Sequence, residues 1–273
     1  MFKVTLRGAA TRRFVKTDWI TAYQSFGEGP KYQFAGFGNL EALNEDRFPP
    51  RRGVNMHHHN DHEIFTYMLS GGLTHRDTMA AKEEDKSYTI HRGDVQFISS
   101  GSGIRHSEKN AQGNEVAHLL QFWVKPWKNC LGPRYETKTF SEADKRKGFV
   151  TIISPFSEKE NSNSQPVVPG SIAINSDFSM GAAIIPPGEK FSWTVTGAAN
   201  ASGNSSVGDP SPSRNIYVYL PSLQDGLSKI KVAGQETLSE GDGAFVENIR
   251  PGDLLEIESV GEKDAEVVVT DSA

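Results

Sequence analysis

Two short segments rich in metal-binding side chains constrain this chain more than any other feature. The segment HHHNDHE contains His57 and His59, and the segment GSGIRHSE contains His106 and Glu108. Within each pair the two side chains are two residues apart, and a β-strand directs alternate side chains to the same face. Two such strands lying side by side would therefore offer three imidazoles and one carboxylate to a single metal ion.

The type of donor indicates a class of metal. Nitrogen and carboxylate ligation with open coordination positions suits non-heme iron, nickel, manganese or copper better than a closed thiolate zinc site. The chain has one cysteine, Cys130, so neither a thiolate cluster nor an intramolecular disulfide can form. We interpret Cys130 as an isolated thiol that is buried or partly exposed.

Charge and hydropathy exclude several classes of partner. The 273 residues carry a net charge of -5, and the pI is near 5.9, so we expect no direct nucleic-acid binding and no membrane binding. The first residues contain no apolar leader, and no stretch approaches the roughly 18 apolar residues of a membrane span. We therefore expect a cytoplasmic monomer, with a nuclear location also open if the source is eukaryotic.

Short alternating apolar runs indicate an all-β fold. They are four to seven residues long, rich in β-branched and aromatic types, and bounded by Gly-Gly, Gly-Asp and Pro-Gly turns. Regularly spaced strands of this kind are typical of a β-sandwich or barrel. Only 141–147 shows a helical pattern, ending at Gly148. The runs are 63–69, 94–98, 118–124, 172–175, 215–220, 243–247, 254–258 and 266–269.

The length predicts two domains or one large β domain. The segment 125–134 reads as the end of a domain, which places a boundary near 135–147. Gly-Asp turns late in both halves suggest a duplicated β module, yet all eight histidines lie between residues 57 and 118. A repeated second half would therefore have lost any imidazole site. The small, polar segment 197–213 is predicted to be a loop.

The residues alone leave the carboxylate ligand open. Glu63 shares the parity of His57 and His59, so Glu63 and Glu108 are both candidates. A run of surface histidines and an exposed polar strand are the competing interpretations. Gly101 and Gly103 favour a tight turn just before the second ligand pair.

The order of these motifs resembles that of cupin barrels. In those barrels His-x-His-x3-Glu is followed some 40 residues later by Gly-x2-His-x3-Asn, which falls here on Gly103, His106 and Asn110. Such spacing would let a first hairpin and a later strand meet at the mouth of one small barrel.

A more specific resemblance is to the pirin family. The segments FTYMLSGGLTHRDTM, GDVQFISSGSGIRHSE, HLLQFWVKP and PRYE are similar to pirin sequences, densely over residues 35–137 and more thinly beyond. The resemblance implies two cupin (jelly-roll-like) β-barrels packed face to face, a bicupin. Residues 1–137 would form the metal-binding barrel, and residues 138–273 a barrel without a histidine site.

The resemblance also implies a ligand set. The family's iron ligands fall on His57, His59, His106 and Glu108, so Glu63 would support the structure or the ligands instead. His58 stands where pirins usually have a proline.

Two functions follow from the resemblance. Several pirins are assigned quercetin 2,3-dioxygenase activity, in which a flavonol and dioxygen react at one mononuclear metal. The expected metal is Fe(II), with Ni, Mn, Cu, Co and Zn as alternatives, and Glu108 would be both ligand and general base. Other pirins resemble non-enzymatic, redox-sensitive regulators that act through protein–protein contacts. The same four ligands serve both functions, so the sequence does not separate enzyme from regulator; a metal-free lectin or storage cupin is disfavoured.

The remaining histidines have simpler interpretations. His75 is expected to hydrogen-bond near a hairpin, with support of a metal ligand as the lesser alternative. His91 is expected to be exposed, and His62 has the wrong parity for the ion. His118 is interpreted as a core histidine with a partner, or as part of a pocket floor. The charged block 82–87 is predicted to be a solvated hairpin tip.

Overall fold

The structure, a computed structural model, describes residues 2–27, 29–79, 87–157, 165–197 and 213–273. Strands dominate these residues, which confirms the all-β prediction. The helical segments they contain are a 3-10 turn (Ala9–Thr11) and α1 (Glu142–Lys145), the latter within the predicted 141–147. None of the helices in these ranges is long and apolar enough to cross a membrane. The hairpin tip and most of the loop predicted at 197–213 lie outside the described residues.

The predicted runs all coincide with strands, because alternation of apolar and polar residues suits a sheet with two different faces. The strands of the first part of the chain are β1 (Lys3–Arg7), β2 (Arg13–Lys16), β3 (Thr21–Gln24), β4 (Leu40–Phe48), β5 (Gly53–His59), β6 (Glu63–Ser70), β7 (Gly72–Asp77), β8 (Tyr88–His91), β9 (Asp94–Ser99), β10 (Ile104–Lys109), β11 (Ala117–Val124) and β12 (Arg134–Thr139). Those of the second part are β13 (Val150–Pro155), β14 (Ile172–Ile174), β15 (Phe178–Ile185), β16 (Lys190–Thr194), β17 (Arg214–Tyr219), β18 (Lys229–Val232), β19 (Glu236–Ser239), β20 (Gly243–Ile249), β21 (Leu254–Ser259) and β22 (Ala265–Ser272).

The strands form two compact units. The first barrel comprises Arg12–Gly36 and Leu40–Phe140, and the second barrel comprises Met1–Thr11, Phe37–Asn39 and Ser141–Ala273. The sequence assigned residues 1–137 to the first barrel, whereas the structure groups the first eleven residues with the second. The reason is that β1 pairs with β20 along its whole length.

Both barrels have the same strand order. In the first, a seven-stranded sheet (β12-β9-β6-β11-β4-β3-β2) is accompanied by a four-stranded sheet (β5-β10-β7-β8). In the second, the sheets are β1-β20-β17-β22-β15-β13-β14 and β16-β21-β18-β19. Strands β4 to β11 correspond in order to β15 to β22. The duplication suggested by the Gly-Asp turns is therefore present in the topology.

The interiors of the two barrels differ in character. In the first barrel an apolar cluster joins the two sheets, including Met68 and Leu119 from one and Leu73 and Ile90 from the other. In the second barrel a continuous apolar core is made by both sheets. Part of the first barrel's interior is also occupied by buried polar side chains, which are His75, Gln96, His106 and Glu108.

A glycine turn leads the chain into β10. Gly101 has φ 42° and Gly103 has φ 128°, both in the region that disfavours side chains. A Cβ at Gly101 would also overlap the carbonyl group of Leu131. The predicted tight turn before the second ligand pair is thus confirmed, and it fixes where β10 begins.

We predict that Gly101→Ala destabilises the protein by roughly 2 kcal/mol or more, because the left-handed conformation alone costs about 1–2 kcal/mol and the overlap adds to it. Urea unfolding measures the change. Gly132→Ala is the matched control in the same region, since nothing lies within 4 Å of a Cβ at that position. Equal stability of the two variants would contradict the account of this turn.

Candidate metal centre

Strands β5 and β10 are antiparallel neighbours, and their register brings three imidazoles together. His106 lies directly opposite His57, and Ile104 lies opposite His59. The ring centroids of the three histidines are 4.4 to 4.8 Å apart. One ring nitrogen of each lies within 4.8 Å of the others. We call His57, His59 and His106 the three-histidine cluster.

The cluster presents lone pairs of the kind that a metal needs. Nε2 of His106 lies 2.9 Å from Nε2 of His57. Nδ1 of His57 is 2.8 Å from the carbonyl oxygen of Asn55, so Nδ1 carries the proton and Nε2 keeps its lone pair. Two nitrogens at right angles about an ion, each roughly 2.1 Å from it, would be about 3 Å apart. The donors therefore fit a transition metal.

The fourth predicted ligand, Glu108, is buried in the same interior but groups differently. One of its carboxylate oxygens lies within 4.8 Å of ring nitrogens of His106 and His75, and this forms a second donor group. The carboxylate accepts a hydrogen bond from Nε2 of Gln96 at 2.8 Å and another from Nε2 of Gln121 at 3.0 Å. Each oxygen is thus held by one amide, the buried amide of Gln96 or the partly buried amide of Gln121.

The two amides are themselves oriented by aromatic residues. Oε1 of Gln121 accepts a hydrogen bond from the indole of Trp123 at 3.3 Å. The Tyr135 hydroxyl donates to Oε1 of Gln96 at 3.4 Å. Burial raises the pKa of Tyr135, and nearby carboxylates raise it further, so this hydroxyl remains a donor. These contacts fix which end of each amide faces Glu108.

The structure separates Glu63 from both donor groups. Its carboxylate accepts a hydrogen bond from Ser99 at 2.5 Å. The parity argument for Glu63 was wrong because β5 ends at His59 and the chain turns before β6, with Asp61 at φ 53°. Parity cannot be counted across such a turn.

The other sequence-based expectations are settled by burial and partners. His58 is exposed, and His62 lies 3.4 Å from Glu41. His91 is exposed as predicted. His118 is a core histidine bonded to Glu45 at 2.8 Å. Cys130 is an exposed free thiol.

Asn110 of the cupin-like motif is structural. Its amide donates to the carbonyl groups of Phe48 and Glu115, and its side-chain oxygen accepts from the backbone of Gln112. The motif thus includes one residue that fixes a turn and does not face the donors.

The strand register identifies the residues of the second barrel that are equivalent to the donors of the first. Ile257 lies opposite Phe191 in the pairing of β21 with β16, as His106 lies opposite His57. By this register the second barrel carries Phe191, Trp193, Ile257 and Ser259 at the positions of His57, His59, His106 and Glu108. Ala244 and Val269 similarly stand at the positions of Gln96 and Gln121. The fold therefore does not require these polar side chains.

Burial controls the charges of the centre. Desolvation, together with the neighbouring imidazoles, lowers the pKa of His59 and of His106 to about 3. Both rings are thus neutral at physiological pH, the form that binds metals. Burial also raises the pKa of Asp46 to about 8, aided by Glu108 and Glu45.

Known proteins share this fold and these segments. The family model described as Pirin matches residues 8–124. A protein of Zymomonas mobilis named "Putative quercetin 2,3-dioxygenase" is 32% identical over 259 residues, which is 94% of this chain and 94% of that protein. The chain belongs to the pirin family.

Other relatives of this pirin are more partial or more distant. A "Quercetin 2,3-dioxygenase" of Escherichia coli is 36% identical over 154 residues, 56% of this chain and 63% of that protein. This pirin thus spans about three fifths of the length of such curated relatives. The crystal structure of the bacterial pirin YhhW from Escherichia coli in complex with nickel(II) is similar over 99% of each chain, with a TM-score of 0.76 and 24% identity. That likeness shows the fold.

Sequence reasoning missed the residues that surround the donors. Gln96 and Gln121 each interrupt an apolar strand, and His75 and Asp77 share the same two-residue spacing as the predicted ligands. The available signal in the sequence was a polar residue at an inward position of a buried strand. The hydrogen-bond partner of that residue could not be predicted, because these hydrogen bonds join strands that are distant in sequence.

We predict that metal-free protein is most stable near pH 6.5. Below that pH, unfolded imidazoles take up protons that buried His59 and His106 do not, so stability falls as pH falls, by about 1.4 kcal/mol per pH unit for each ring. Asp46 acts in the opposite direction, because its folded form keeps a proton that the unfolded chain releases above pH 3.8. Its contribution therefore declines as pH rises towards 8.

Urea unfolding of chelator-treated protein from pH 4.5 to 8.5 measures this profile. Below pH 6.5 the effect of the two imidazoles on the free energy of unfolding is larger than that of the Asp46 carboxyl group. Above pH 6.5 only Asp46 changes the stability with pH. Asp46→Asn is the control and should abolish the decline between pH 6.5 and 8. A profile that is flat below pH 6.5 would refute neutral burial of the rings.

Proposed function

We propose that this pirin is a metal-dependent oxygenase of the quercetin 2,3-dioxygenase type, with one ion held by His57, His59, His106 and Glu108. The convergence of three imidazole nitrogens within 4.8 Å carries the proposal. Its other support is that the equivalent positions of the second barrel are mostly apolar, so packing does not explain the donors.

Fe(II) is the metal that we propose, because neutral imidazoles with a carboxylate are the donors of non-heme iron oxygenases. Nickel is the first alternative, since the related YhhW has been crystallised with nickel(II). When bound, such an ion offers open positions to dioxygen and to a substrate oxygen, and it acidifies a coordinated hydroxyl group.

Glu108 is the proposed general base. A flavonol must lose the proton of its 3-hydroxyl group, and a carboxylate beside the ligands can accept it. The hydrogen bonds from Gln96 and Gln121 keep the carboxylate group of Glu108 from rotating, so both of its oxygens stay in one orientation. This restraint positions the base before the substrate arrives.

Access to the centre is from the side of His57. His57 is partly exposed, whereas His59, His106 and Glu108 are buried. The rings of Trp123 and His59 pack nearly perpendicular to each other with centroids 5.0 Å apart, which shields this ligand from water. A flat aromatic substrate would therefore approach along the His57 side.

Oxygen consumption by iron-loaded protein with quercetin under air tests the activity, with nickel-loaded protein in parallel. We expect turnover that requires both metal and flavonol. Bound metal without turnover on any flavonol would refute the oxygenase and would favour the protein-binding, redox-sensitive regulator.

We predict that His57→Ala and His106→Ala purify with less metal than the unaltered protein and keep the fold. Removal of a ligand should weaken binding by more than the roughly 10–100-fold that loss of an outer partner costs. Elemental analysis of protein purified without chelator or nickel resin measures retention, and circular dichroism reports the fold. His91→Ala, at an exposed histidine, is the control. Full metal content in either ligand variant would show the assignment to be wrong.

We predict that Glu108→Gln lowers turnover by about 10²–10⁴-fold, the usual contribution of a general base. The substitution keeps the size of the side chain but removes its negative charge. Steady-state oxygen uptake at matched metal content measures the loss. Turnover equal to that of the unaltered protein would exclude Glu108 as the base.

A further inference from the structure

We propose that His75 is a further metal-directed donor, and that His75, His106 and Glu108 form a second cation position next to the three-histidine cluster. We call it the inner position, because all three residues are buried. The inference rests on the proposed metal centre and adds a donor that the ligand set does not include.

The His75 ring is held in a defined orientation and tautomer. Its Nε2 lies 2.9 Å from Oδ2 of Asp77, and Oδ1 of Asp77 accepts a hydrogen bond from the backbone of Met79 at 2.8 Å. Because the carboxylate is an acceptor, Nε2 carries the proton and Nδ1 keeps a lone pair. Histidines that bind metals commonly donate their other ring proton to a carboxylate in this way.

The free lone pair of His75 has no partner. Nδ1 is buried and accepts no hydrogen bond. The ring stacks on Tyr135, with centroids 4.9 Å apart and planes at 22°, so rotation to find a partner is restricted. An unsatisfied buried acceptor of this kind is unfavourable, and a cation would relieve it.

The neighbours of His75 complete a coordination set. Strand β7 pairs with β10 so that Glu108 lies opposite His75 and His106 lies opposite Asp77. Ring nitrogens of His75 and His106 and a carboxylate oxygen of Glu108 lie within 4.8 Å of one another. Two imidazoles and one carboxylate are the donors of a non-heme iron facial triad.

The fold does not account for His75 and Asp77. In the second barrel, β18 pairs with β21 as β7 pairs with β10. Ile230 and Val232 stand there at the positions of His75 and Asp77, and both belong to the apolar core. The pair therefore has a role other than packing.

His106 belongs to both donor groups, and Glu108 is shared as well, because it is also the proposed fourth ligand of the ion at the three-histidine cluster. An ion in the inner position and an ion in the cluster would compete for these two residues, so we expect one ion per chain. Loss of His57 and His59 should leave the inner position intact, whereas loss of His106 should abolish both.

Cobalt(II) binding to the full chain tests this inference, followed by calorimetry and by the visible absorption of the bound ion. The variants are H57A/H59A, and H57A/H59A combined with His75→Ile and Asp77→Val. The latter two substitutions copy the second barrel, and replacing a buried pair together avoids an uncompensated charge. H57A/H59A with His118→Gln is the matched control, because His118 is also a buried histidine bonded to a carboxylate.

We expect H57A/H59A to bind one cobalt(II) more weakly than the unaltered protein, and the added His75 and Asp77 substitutions to weaken it at least tenfold further. The His118 control should bind like H57A/H59A. If the fourfold variant is unfolded by circular dichroism, H57A/H59A with Asp77→Asn replaces it, with an expected loss of about tenfold.

Two results would overturn the inner position alone: no binding by H57A/H59A when the unaltered protein binds one ion, or equal binding with and without His75 and Asp77. Absence of binding to the unaltered protein would instead refute the metal centre as a whole, and the inner position with it.

Discussion

The antiparallel pairing of β5 with β10 is the contact on which the centre depends. It places His57 opposite His106 and turns alternate residues of both strands into the same interior. A slip of one residue would send every donor to the opposite face. The turn containing Gly101 and Gly103 fixes where β10 begins, so a backbone feature outside the site determines the separation of its nitrogens.

The polar interior of the first barrel differs from the apolar interior of the second barrel, although both have the same strand order. Gln96 and Gln121 are hydrogen-bonded to Glu108, whereas the second barrel buries Ala244, Val269 and Ser259 at the equivalent positions. Buried polar groups add little net stability even when they are paired. The hydrogen-bond partners do, however, fix one orientation for each group. Binding of a metal or substrate depends on that orientation more than on a stronger core.

The sequence predicted the strands and three converging imidazoles because both follow from local alternation. It failed at Glu63, where a turn interrupts the alternation, and at β1, whose pairing with β20 spans most of the chain. The contacts of Gln121 could not be predicted from the sequence either. A glutamine inside an apolar strand signals an inward polar group, but only the folded arrangement shows that Glu108 accepts its hydrogen bond.

The apolar core of the second barrel has a consequence for how the sequences of the two barrels diverge. The apolar core of the second barrel can exchange aliphatic residues of similar volume at small cost, because such exchanges preserve its packing. The donor positions of the first barrel have no such freedom, because each exchange there removes a donor or its support. Substitutions should therefore accumulate faster in the apolar core of the second barrel than at the donor positions of the first.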